Sequence, residues 1–375
     1  MDILFVFALA CLLTAAFVPV TIKIAERFGL IDNPSIRPHP AHVHTKITPR
    51  AGGLAIYVGI VVTSLLLLPL TKYLVGIVIG STILLILGLI DDRVRTFNPY
   101  LRLCLLFLAA GAAVISGIGI TYVNNPLIGF LQLGPPFNEQ ILRLDQIIIP
   151  INIFGSHNIV LFADIFAFLW IVTLTQVINW SKGVDGQMPS ITLTSAVILG
   201  LLSLKLFLAG DPNQLNVGKL AFIVAGSSLG FLFFNWYPAK IQPGFSASTI
   251  LAFLLAILSI LSGAKLATAL LVMAIPIIDF LYTFFRRIMQ GRSPVWGDRG
   301  HLHHKLLALG WSPQRISLFY MATSFILGGI SLFANAEGKF FALLSVTIVV
   351  LLFIVWINSF GDLSKRPGLD NGSKT

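Results

Sequence analysis

The sequence predicts an all-α polytopic membrane protein, and three observations predict it. Hydrophobic residues make up 56% of the 375-residue chain and charged residues only 11%. Mean hydropathy is +0.90, which leaves too little polar surface to cover a soluble globule of this size. Apolar windows of bilayer length recur from one end of the chain to the other.

A hydrocarbon core of about 30 Å takes roughly 20 apolar residues in a helix, so the windows are read as about eleven transmembrane helices. They cover residues 3–22, 53–70, 74–90, 101–121, 159–180, 187–208, 218–236, 247–262, 266–285, 316–335 and 339–358. The first has no basic leader and no small-residue cleavage site, so it is expected to be a retained span. Cys11 and Cys104 lie inside apolar windows, where a thiol behaves as a small hydrophobe, and neither a disulfide nor a thiolate metal site is expected. Residues 1–360 are read as one transmembrane domain and 361–375 as a polar, disordered tail.

The net charge of +10 does not point to nucleic acid, because the basic residues are dispersed over short loops and no nucleic-acid-binding module is visible. Assigning loops alternately to two faces puts about three quarters of the 25 Lys and Arg residues on one of them. The positive-inside rule makes that face cytoplasmic, with the N-terminus outside and the C-terminus in the cytoplasm, as in a multi-pass inner-membrane protein. Residues 122–158, with Pro, Asn and Gly throughout, then form an external loop in which a re-entrant or strand-like hairpin is expected.

Four polar clusters fall on the basic face. In the first, RPHPAHVHTKITPRAGG at residues 37–53, Lys46, Thr48 and Arg50 precede a Gly pair where a helix begins. Cations, a hydroxyl and free amides there suit phosphate oxygens, although an ordinary positive-inside loop is the commoner reading. The second is Asp91-Asp92 at the end of an apolar window, followed by Arg93, Arg95, Asn98 and Arg102. Adjacent carboxylates repel one another, a cost that either a bound Mg²⁺ or the nearby arginines would relieve.

The third cluster is NWSKGVDGQ at residues 179–187, where Asn179 and Asp185 offer oxygen ligands and the glycines permit a tight turn. Asn179 and Lys182 are equally suited to anchoring helix ends at the interface. The fourth, GRSPVWGDRGHLHHKL at residues 291–306, crowds Asp298, Arg299, His301, His303 and His304 into a segment fit for binding a nucleotide diphosphate or moving protons. No Cys or carboxylate set at zinc spacing accompanies these histidines. Within the windows, Asp279 reads as site support and Asp164 as structure.

Taken in order, HTKITPRAGG, GLIDDR, NWSKGVDG, FNWYPAKI, IPIIDFLYTFFRR and SPVWGDRGHLHHKL resemble the polyprenyl-phosphate N-acetylhexosamine-1-phosphate transferases of glycosyltransferase family 4. The resemblance spans nearly the whole chain and is closer to the WecA and TagO branch than to the MraY branch. It implies an active site built from cytoplasmic loops that transfers a HexNAc-1-phosphate, most readily GlcNAc-1-phosphate, from a UDP-N-acetylhexosamine to undecaprenyl phosphate in the membrane, releasing UMP. It also implies Mg²⁺, with Mn²⁺ as the alternative, and a homodimer.

By the same resemblance Asp91, Asp92 and Asp185 are the catalytic carboxylates and metal ligands. Lys46, Thr48, Arg50, Asn179, Lys182, Asp298, Arg299, His301, His303 and His304 bind substrate. Two positions depart from the pattern. Lys182 and Phe245 stand where the family carries Asp, and the second change removes a carboxylate expected to bind Mg²⁺. A charge on Lys182 could substitute in part for the metal, with Asp92 or Asp185 carrying the coordination. The competing readings are a family relative kept as a scaffold without chemistry, and a membrane transporter, which predicts inverted repeats that the sequence does not show.

Overall fold

Lipid offers no hydrogen bonds, so each apolar window must satisfy its backbone internally, and in the computed structural model each predicted window lies on helix. The structure describes residues 2–33, 47–94, 97–125, 139, 141–152, 156–263, 265–293 and 300–360. The predicted tail at 361–375 lies outside them.

Helices α1 (Ile3–Phe28), α3 (Lys72–Arg93), α5 (Leu161–Trp180), α6 (Gln187–Leu208), α7 (Gln214–Asn235), α8 (Gly244–Leu261), α12 (Pro313–Phe333) and α13 (Ala336–Phe360) are long and apolar enough to cross a membrane. The helices α2 (Gly52–Leu67) and α4 (Pro99–Ile115) are shorter and also apolar. The window at 266–285 is broken into α9 (Leu266–Val272) and α10 (Ala274–Met289), which meet at 81°. Pro276 sits three residues into α10. It has no N–H for the Val272 carbonyl, and its ring crowds that carbonyl, so a continuous helix cannot pass. The short α11 (Leu302–Ala308) completes the set. The chain is thus an all-α polytopic membrane protein.

The connection at residues 122–158 contains strands, as expected. The pair β3 (Tyr122–Asn124) and β4 (Ile141–Arg143) and the pair β5 (Ile148–Asn152) and β6 (Ser156–Val160) are antiparallel. Asp164, in the first turn of α5, accepts from the Val160 amide at 3.0 Å, a structural cap.

The most buried helix is α8, with 94% of its apolar window inside the protein, packed against α2, α3, α5, α6, α7 and α9. Without a hydrophobic drive between helices in lipid, close approach of small residues holds such bundles together. A Cβ on Gly88 of α3 would collide with Ser246 of α8, and one on Gly226 or Gly230 of α7 would strike the backbone of α1 at Phe7 and Cys11.

Candidate active site

The loops far apart in sequence meet at one end of the bundle. There the C-terminal end of α3 faces the N-terminal end of α8. Asp92, fully buried, accepts from the amides of Phe245 at 2.7 Å and Ser246 at 3.3 Å and from the Ser246 hydroxyl at 2.9 Å. A carboxylate at a helix N-terminus satisfies otherwise orphaned amides and meets the positive end of the helix dipole. Gly244 is held at φ +66°, and a Cβ there would run into the Asp92 carboxylate. Arg50 adds a charged contact, Nε to Asp92 Oδ1 at 3.0 Å. Asp91 next door pairs with Arg102 of α4.

Arg50 reaches this point because β2 (Thr48–Pro49) pairs with β1 (Ile31–Asp32), and Arg50 itself bridges to Gln242 just before α8. Thr48 lies buried two residues earlier, opposite Asp32. Lys46 lies outside the described residues.

The loop after α5 joins this cluster from the other side. Lys182 Nζ donates to Asn179 Oδ1 at 2.8 Å, to Ser248 Oγ at 3.0 Å and to the Gly244 carbonyl at 3.2 Å. The Ser248 hydroxyl in turn lies 2.7 Å from Asn179 Oδ1. The Phe245 ring has a cation on each flank, Lys182 Nζ at 5.2 Å and the Arg102 guanidinium at 5.5 Å from its centroid, a favourable use of the ring face. Desolvation, reinforced by Arg50, brings the Lys182 pKa down to about 7 against the opposing pull of Asp92 and Asp91.

A second group of side chains lies along α10 and α11. Asp279 accepts from the Leu302 amide at 2.7 Å and holds His301 Nδ1 at 2.9 Å. His301 stacks on His303 with ring centroids 5.5 Å apart, and His304 follows at 4.3 Å from His303. Trp180 meets the edge of His301 at 5.7 Å and carries the Arg287 guanidinium at 5.0 Å. Burial, with His304 and His301 adding to it, holds His303 neutral, well below the usual imidazole range. The two groups touch where His303 lies against Gly183, so closely that a Cβ on Gly183 would overlap the imidazole.

The sequence-predicted residues Asp91, Asp92, Arg50, Asn179, Lys182, His301, His303 and His304 are therefore drawn to one end of the bundle. Asp298 and Arg299 lie outside the described residues. Asp91, Asp92 and Asp185, expected to share a ligand set, have separate partners among the described contacts. Asp185 Oδ2 accepts from the Ala239 amide at 3.0 Å, while Asp91 and Asp92 face arginines and the α8 terminus. Among the described residues no three His, Cys, Asp or Glu side chains gather as a metal site. An ammonium sits among the oxygens of Asn179, Gly244 and Ser248, so the residues here do not fit a carboxylate-caged Mg²⁺.

Sequence reasoning missed Ser246, Ser248 and Trp180 as parts of this arrangement. The readable signal was the cluster of hydroxyls in GFSAST at the head of an otherwise apolar window.

Residues 74–263, from the start of α3 to just past α8, match glycosyl transferase family 4. That stretch holds the Asp pair, the Asn179 loop and the head of α8. The chain belongs to this family. Among its relatives, a probable undecaprenyl-phosphate N-acetylglucosaminyl 1-phosphate transferase of Bacillus subtilis is 29% identical over 359 residues, covering 94% of this chain and 87% of the relative. The decaprenyl-phosphate N-acetylglucosaminephosphotransferase of Mycolicibacterium smegmatis is 29% identical, covering 89% and 83%. The undecaprenyl-phosphate alpha-N-acetylglucosaminyl 1-phosphate transferase of Escherichia coli K12 is 23% identical, covering 95% and 89%. The family match thus reaches through both departures, Lys182 and Phe245, rather than stopping short of them.

Proposed function

We propose that this family 4 protein transfers GlcNAc-1-phosphate, or a related HexNAc-1-phosphate, from a UDP-sugar to undecaprenyl phosphate at the cytoplasmic face of the inner membrane. The observation that carries the reading is the meeting of the Asp92, Lys182 and His303 loops at one basic end of a membrane-embedded bundle, in a chain whose relatives are named for this transfer. The excess of Lys and Arg on the loops of that end supports its assignment to the cytoplasm.

In the reaction an oxygen of the lipid phosphate attacks the β-phosphorus of the donor. A new phosphorus–oxygen bond forms, the bond from β-phosphorus to the bridging oxygen breaks, and UMP leaves with that electron pair. Catalysis of such a transfer is chiefly positioning and stabilisation of charge on the phosphoryl oxygens. Arg50, Arg102 and Lys182 are the cations at hand, fixed in place by Asp92, Asp91 and the Asn179–Ser248 pair. The row His301, His303 and His304, with His301 held by Asp279, would contact the nucleotide-sugar. The described carboxylates do not form a cage for Mg²⁺.

The test is direct. Membranes carrying the protein, supplied with radiolabelled UDP-GlcNAc and undecaprenyl phosphate, are expected to yield a lipid-linked sugar diphosphate and UMP. Absence of both from membranes that contain folded protein would overturn the reading in favour of a scaffold without chemistry.

A further inference from the structure

Lys182 sits in an oxygen-lined setting. Its Nζ is half-buried and ringed by three oxygens, Asn179 Oδ1, Gly244 O and Ser248 Oγ, with the Phe245 ring 5.2 Å away. Amide, carbonyl and hydroxyl oxygens converging from two elements are hard donors of the kind a divalent cation takes. Here they hold an ammonium that belongs to the chain.

The nearby carboxylates are committed as well. Asp92 is engaged by Arg50 and the head of α8, and Asp91 by Arg102. A divalent ion entering this spot would have to displace an ammonium and loosen two guanidinium pairs, and would meet no carboxylate freed for it among these groups. A diphosphate needs no such displacement, since Lys182 and Arg102 already flank the Phe245 ring and Arg50 meets Asp92 at the same helix end.

We propose, resting on the transfer reading above, that Lys182 is the resident cation of the donor site: with Arg50 and Arg102 it neutralises the diphosphate of a nucleoside diphosphate sugar, and donor binding requires no divalent metal. An anionic diphosphate beside a lysine whose pKa is about 7 favours the charged form, so the ligand itself completes the charge it needs.

The experiment is calorimetric binding of UDP to the full chain in lipid nanodiscs, in EDTA and then in excess Mg²⁺, for the wild type, Lys182→Met and Lys182→Arg. Wild-type affinity is expected to agree within about threefold between the two conditions. In EDTA, Lys182→Met is expected to bind about tenfold or more weakly, the scale of a lost charge-assisted hydrogen bond, with Lys182→Arg recovering part. A wild-type affinity that falls by about tenfold or more in EDTA and returns with Mg²⁺ overturns the proposal, and this arm needs no variant to fold. A folded Lys182→Met protein that binds UDP in EDTA as the wild type does overturns it too. The transferase reading fails separately. Metal-free, Lys182-dependent UDP binding without any lipid-linked product keeps the inference and removes the transferase, whereas product and UDP binding that both require Mg²⁺ do the reverse.

Discussion

At the two ends of the bundle the same residue type does different work. At the end remote from the Asp pair, Lys205 donates to the Leu332 carbonyl at 2.7 Å and Lys339 to Thr268 at 2.9 Å. These lysines tie one helix end to another. At the basic end Lys182, Arg50 and Arg102 instead gather about two adjacent carboxylates and an aromatic face. Concentrating like charges beside one another is costly unless anions offset it, and Asp91 and Asp92 supply part of that offset. A phosphate-bearing substrate of the proposed kind would supply more.

The sharpest way to break the contrast is Asp92→Ala. It strands the Phe245 and Ser246 amides and the Arg50 guanidinium in a buried setting, and product formation is expected to fall by about 100-fold or more in the radiolabelled transfer assay. Next is Gly183→Ala, which forces His303 away from the Asn179 loop and separates the two halves of the site. A misplacement of that kind is expected to lower kcat/KM by about 10- to 100-fold, measured with UDP-GlcNAc as the varied substrate.

A smaller effect should come from pH. Lys182 carries its proton below about pH 7 and loses it above, so UDP affinity by calorimetry is expected to weaken several-fold between about pH 6 and pH 8. In Lys182→Arg, whose guanidinium stays protonated, this dependence should flatten. The smallest effect is at the other end. Lys205→Met removes one exposed contact to a carbonyl and should cost about 1 kcal/mol or less by thermal unfolding in detergent, with transfer rates unchanged.

Much of the helical scaffold was legible because lipid imposes a one-dimensional rule, and every apolar window lies on helix. The break at Met273 was not read, although Pro276 marks it, because hydropathy continues unbroken across α9 and α10. Asp91, Asp92 and Lys182 stood out as polar groups at window ends, and the histidines as a cluster within a loop. Their partners did not. Ser248 looks like any small residue in a buried helix until the turn at Gly244 brings it beneath Lys182. Asp185 likewise gave no sign in sequence of its tie to the Ala239 amide.

The sequence by itself determined the helices, their apolar character and the basic excess of one set of loops, since each depends only on nearby residues and the bilayer they meet. Which cation faces which carboxylate was decided by the tertiary structure. The contacts that bind Lys182 and Asp92 to the head of α8 join residues 62 to 154 positions apart, and only the close packing of glycine-faced helices around α8 brings them within hydrogen-bond reach.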